Sequence, residues 1–113
     1  MNKTQMTKSN IDAFLANISY AHAKALYDEV NAAWSNAGKE LNDFIDAQGP
    51  RGSMGLTPDR VKTMPEYVAL KRKCEQARDM AQAFNAVFTK RFKREYAKDR
   101  AAERDAKWAA LCA

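Results

Sequence analysis

Side chains able to do acid–base, nucleophilic or metal chemistry are few in this 113-residue chain, and they do not gather. There is one histidine, His22. Its neighbours three and four residues away on a helix are Ile18, Ser19, Ala25 and Leu26. None is a carboxylate that would orient the ring as a general base. Asp28 and Glu29 are adjacent, so they point to different faces, and Tyr20 and Tyr27 share a face with His22 only loosely. Cys74 and Cys112 form no CxxC pair, and no HExxH or Cys/His cluster supplies a zinc site. The expectation is no catalytic residue, no metal and no cofactor, and hence no enzyme.

Phosphate chemistry is the next candidate. The stretch GPRGSMGLTPDRVKTMPEY, residues 49–67, holds three of the four glycines and all three prolines. Backbone amides near Gly49, Gly52 and Gly55 could face an anion, with Arg51 beside them. A phosphate loop, however, needs a preceding strand and a Gly-Lys-Ser/Thr ending, and both are absent. The stretch reads instead as a bend whose tip, with Arg51, is a contact point.

Charge is the third candidate. The net charge is +5, and it is uneven. Residues 1–49 carry −2, 50–73 carry +4, 74–87 carry −1 and 88–113 carry +4. The segment from Phe88 to Arg100 alternates aromatic and basic residues. On a helix Phe88, Phe92 and Tyr96 stack along one edge, and cations take the other side. Lys90, Arg91, Lys93, Arg94, Lys98, Arg100 and Arg104 are the candidate partner-binding residues, together with Arg51. Such a stripe suits phosphates or an acidic protein surface. Arg91–Glu95 and Glu103–Lys107 are spaced for helical ion pairs that would dilute it. Lys71-Arg72-Lys73 wraps most of a turn and cannot all face one ligand.

These residues need elements to hold them, and the pattern is helical throughout. Apolar residues recur in threes and fours from Ile11 to Phe44, which predicts one helix over about 10–47 with Ser9 as its N-cap. Gly49 and Pro50 end it. A loop spans 48–57. Thr57-Pro58-Asp59 starts a short helix over about 58–63. Thr63-Met64-Pro65-Glu66 has the spacing of a capping box and starts a helix over about 65–108. In it Tyr67, Leu70, Cys74, Ala77, Ala81, Phe84 and Phe88 form a seam. Trp34 reads as core and Trp108 as a staple for the chain end. The expectation is a single all-α domain over 1–113, with two long antiparallel helices forming a hairpin. Dimerisation into a helical bundle would hide the apolar stripes that one hairpin leaves bare.

No apolar run approaches the ~18 residues of a membrane span. The segment MNKTQMTKSN lacks a signal-peptide core, so the expected location is cytoplasmic. The triplets Asn2-Lys3-Thr4 and Asn17-Ile18-Ser19 then carry no glycan.

The runs Gly-Leu-Thr-Pro-Asp at 55–59, Met-Pro-Glu-Tyr at 64–67 and Ala-Phe-Asn at 83–85 resemble small uncharacterised helical proteins of phages and plasmids. The resemblance covers residues 49–96 and carries no residue with an assigned chemical role. It implies an accessory protein of a mobile element that works by binding, to nucleic acid or to a host complex such as a CRISPR or restriction system. The expected function is therefore a non-enzymatic protein-interaction module, an inhibitor or adaptor, presenting a basic helix. The alternative is nucleic-acid binding through the same helix.

Overall fold

In a computed structural model, which describes residues 7–113, the chain is all-helical. Five α-helices run in order: α1 Lys8–Leu15, α2 Tyr20–Ala47, α3 Asp59–Lys62, α4 Pro65–Arg91 and α5 Lys93–Cys112. A 3-10 turn covers Ser53–Gly55, and there is no strand among the described residues. The Asn2-Lys3-Thr4 triplet and most of the segment read for a leader lie outside the described residues.

The helix expected over 10–47 is two helices. Thr7, not Ser9, caps α1, its Oγ1 accepting from the Asn10 amide at 3.2 Å. The interruption at 16–19 comes from two side chains that compete with helical backbone bonds. Asn17 Nδ2 donates to the Ala13 carbonyl at 3.0 Å, satisfying one of the open acceptors at the end of α1. Ser19 Oγ accepts from the His22 amide at 3.2 Å, which is N-cap geometry and starts α2 afresh. The helix expected over 65–108 is also two, parting at Phe92 (φ −112°, ψ 34°) and running on to Cys112. No proline or glycine stands there. One turn earlier Thr89 Oγ1 donates to the Asn85 carbonyl at 2.7 Å, the kind of back-bond that bends helices. Amide bonds Phe92 to Phe88 (2.9 Å) and Tyr96 to Phe92 (2.8 Å) carry the backbone through the bend.

The chain forms two compact units. One is made by its two ends, up to Leu26 and from Ala83 to Ala113, and the other by Tyr27–Gln82. In the end unit Ile11, Leu15, Ala23, Phe84, Val87 and Phe88 are buried. In the middle unit Ile45, Val61 and Tyr67 form a cluster with Leu41, Phe44 and Met64 against it. Lys73 Nζ reaches Glu40 Oε2 at 2.9 Å, tying α4 to α2 within this unit. Trp34, expected in the core, is half-buried.

Two arginines organise the loop after α2. Arg60 Nη2 donates to the Gln48 carbonyl at 2.8 Å, placing a cation at the negative end of α2. Arg51 Nε meets Asp46 Oδ1 at 2.7 Å, Nη2 meets Asn42 Oδ1 at 3.3 Å and Nη1 meets the Gly55 carbonyl at 3.2 Å. Gly49 takes φ 115° at the end of α2, where an L side chain is strained. Met64 occupies the N-cap position of α4 with Pro65 at its first residue. The expected capping box does not form, because Thr63 stands one residue before that N-cap, and its hydroxyl donates backwards to the Arg60 carbonyl at 3.0 Å.

Two glycine substitutions should act in opposite directions. A Cβ at Gly49 would lie 3.1 Å from Arg60 Nη2 on a left-handed backbone, whereas one at Gly38, inside α2, meets nothing within 4 Å. Gly49→Ala is expected to destabilise by ~1–2 kcal/mol. Gly38→Ala should stabilise by ~0.5–1 kcal/mol. Urea denaturation midpoints of the two variants check both signs.

Candidate interaction surface

The end unit is assembled around Tyr20, the first residue of α2. Ser19 starts the helix there, and the Tyr20 ring packs against Phe88 (centroids 5.9 Å apart, 25° between planes) and Phe92 (5.5 Å). Phe88 also meets Phe84 at 6.0 Å and Tyr96 edge-on at 5.5 Å. Offset and edge-on pairs of this kind each add about 0.5–1.5 kcal/mol beyond area burial. At the polar tip Tyr20 Oη donates to Asp99 Oδ2 at 2.5 Å, across 79 residues of chain. Desolvation by this packing pushes the phenol above the ordinary tyrosine range, and the hydrogen bond to the Asp99 carboxylate and its charge push it further.

The aromatic edge expected from spacing is therefore real, and it faces inward. The candidate basic residues divide into two groups. Arg91 is held by Asp12 of α1, through Nη2 at 2.8 Å and Nε at 3.1 Å, rather than by Glu95. Arg100 donates to Tyr96 Oη at 3.1 Å, with its guanidinium 5.7 Å from the Tyr96 ring centroid. Arg51 is occupied in the loop. Lys90 lines an open pocket of about 630 Å³ with Lys8, Ser9, Asp12, Ala86, Val87 and Arg91. In contrast, Lys93, Arg94, Lys98 and Arg104 are exposed on α5, and none makes an ion pair among the described residues.

No residue of α5 is buried, and every residue from 102 to 113 is exposed. Trp108, read from sequence as a staple, is 68 % exposed, and Leu111 is 80 % exposed. The reason is compositional. Past Tyr96 the helix offers mainly alanines and charges to pack, so propensity forms it and little draws it into a core.

His22 is exposed, and the structure brings no carboxylate to it within hydrogen-bonding distance among the described residues. Cys74 and Cys112 are free thiols. No group of three or more His, Cys, Asp or Glu residues suited to a metal ion occurs among the described residues. No helix among them is long and apolar enough to cross a membrane. The contribution of Tyr20 and Asp99 was missed by sequence reasoning. An acid at Asp99, three residues after Tyr96 and seven after Phe92 and so on the aromatic edge rather than the basic side, was the available signal. Comparison with protein-family models, curated proteins and solved structures finds no match.

The Tyr20 phenol makes a pH prediction. Its folded-state pKa lies above the ordinary value of 10.0, so the unfolded chain ionises first as pH rises. The stabilisation it provides is complete below pH ~10 and is lost as pH climbs above that value. Tyr20→Phe should lower stability at pH 8 by ~1–2 kcal/mol and remove its share of the alkaline fall. Urea unfolding of both proteins between pH 8 and 11 measures the difference.

Proposed function

We propose that this protein is a non-enzymatic interaction module that presents the outer face of α5 to an acidic protein. It acts as an inhibitor or adaptor, and its likeness to phage and plasmid accessory proteins suggests a host complex as the target. The observation that carries this reading is the division among the basic residues. Arg51, Arg91 and Arg100 are engaged within the fold, while Lys93, Arg94, Lys98 and Arg104 stand exposed on a helix with nothing buried.

In the same reading the chain is a helical hairpin, with the Glu40–Lys73 contact bracing its arms. Self-association remains part of the proposal, through apolar side chains left exposed on other helices, Phe14 and Val68 among them. A second function is favoured by the same free cations, namely nucleic-acid binding along the phosphate backbone.

The test combines one variant with two kinds of ligand. Reversing Lys93, Arg94, Lys98 and Arg104 to Glu should leave helicity by circular dichroism unchanged and abolish capture of a protein partner. Labelled DNA and RNA should show only weak anisotropy changes. Tight binding that falls by ~10³-fold or more between about 50 and 200 mM salt would instead establish phosphate recognition. Capture that survives the charge reversal would refute α5 as the site.

A further inference from the structure

We infer that Trp108 and Leu111 are apolar anchors that seat α5 in a groove on its partner, a groove with an apolar floor and a carboxylate rim. This inference rests on the reading of α5 as the binding element. Trp108 and Leu111 are three residues apart and so lie on one helical face, both largely exposed. Arg104 lies one turn before Trp108 on that face, and Ala97 and Ala101 continue it towards the root of the helix. Small residues there allow a groove wall to approach closely. The arrangement is that of an amphipathic helix read through anchors at i, i+3, i+4 and i+7 by an apolar groove. Tryptophan and arginine are also the residues that dominate interface energetics.

Charge decides the occupant. On one flank of the seam stand Lys107 and, already held on Tyr96, Arg100, and on the other Arg94 and Lys98 with Asp105. A second copy laid antiparallel would set Arg100 and Lys107 against their own counterparts. Laid parallel, it would put Arg104 against Arg104 in the seam and Lys93 against Lys98 beside it, with only Arg100–Asp105 of opposite sign, so the excess of cations would still face itself. Like charges so placed are destabilising. A rim of carboxylates answers both flanks at once, and a nucleic acid would leave Leu111 without a counterpart. The occupant is therefore an acidic protein with an apolar groove.

Calcium-loaded calmodulin is a suitable probe, since it is acidic and opens Met-rich apolar grooves that adapt to many helices. It is titrated by calorimetry into the full chain at physiological salt. A Kd of ~10 µM or tighter is expected, weakened at least about tenfold by Trp108→Ala with Leu111→Ala, with helicity unchanged. Binding that survives this double substitution but is lost on the Lys93, Arg94, Lys98 and Arg104 reversal overturns the anchors and leaves the basic-helix reading standing. No binding by the full chain at ~100 µM overturns the groove itself. So does preferential binding to vesicles of phosphatidylglycerol and phosphatidylcholine, which would assign the face to a membrane surface. Sedimentation showing a dimer that Trp108→Ala dissociates overturns it in favour of a second copy.

Discussion

The end unit depends on one contact, the hydroxyl of Tyr20 on the carboxylate of Asp99 inside a ring of Phe88, Phe92 and Tyr96. Each local departure from regular helix serves it. The Asn17 and Ser19 side chains end α1 and restart the chain so that Tyr20 opens α2. The back-bond of Thr89 and the bend at Phe92 bring Phe88 of α4 together with Tyr96 and Asp99 of α5. A helix unbroken from either side would follow a single 3.6-residue stripe past this point. The bends gather rings from consecutive turns around one phenol, and the carboxylate gives the phenol a buried-side partner that a hydrophobic core alone would not.

From this root the distribution of charge follows. Arginines close to the root or the loop are tied to acids and carbonyls: Arg91 to Asp12, Arg51 to Asp46, and Arg60 to the end of α2. These exposed or half-exposed pairs add little stability one by one. Their consequence is positional, because they fix where the loop and α1 sit within their units. Further along α5 the acids no longer match the bases on the same face. The cations stay solvated, together with Trp108 and Leu111. The helix is anchored at one end and uncovered at the other.

How much of this could be read from the residues differs by element. The all-α class, Gly49 as the stop, and the starts of α3 and α4 near Pro58 and Pro65 follow from local chemistry that acts within a few residues. The interruption at 16–19 was also encoded locally, in Asn17 and Ser19, but the apolar spacing across it stays in register and masks it. The bend at Phe92 has no proline or glycine signature; its local mark is the Thr89 back-bond one turn earlier, and the Tyr20 ring, far away in sequence, packs against Phe92 there. The basic stripe was legible as composition. Which cations it leaves free was not, because Asp12 and Asp46 remove Arg91 and Arg51 from it through contacts that spacing on one helix does not reveal. Trp108 read as a staple because tryptophan usually finds cover. Here the alanine-rich helix beyond Tyr96 gives it none.

The central claim is that α5 is rooted through Asp99 and bare beyond Ala101. Amide hydrogen exchange by mass spectrometry on the free, dilute protein addresses it directly, since protection follows local opening. The account predicts slow exchange over residues 93–100, lost when Tyr20 is replaced by Phe, and fast exchange over 102–113 in both proteins. Strong protection over 102–113 in the free monomer would contradict it, because some other part of the chain would then already cover the surface assigned to a partner.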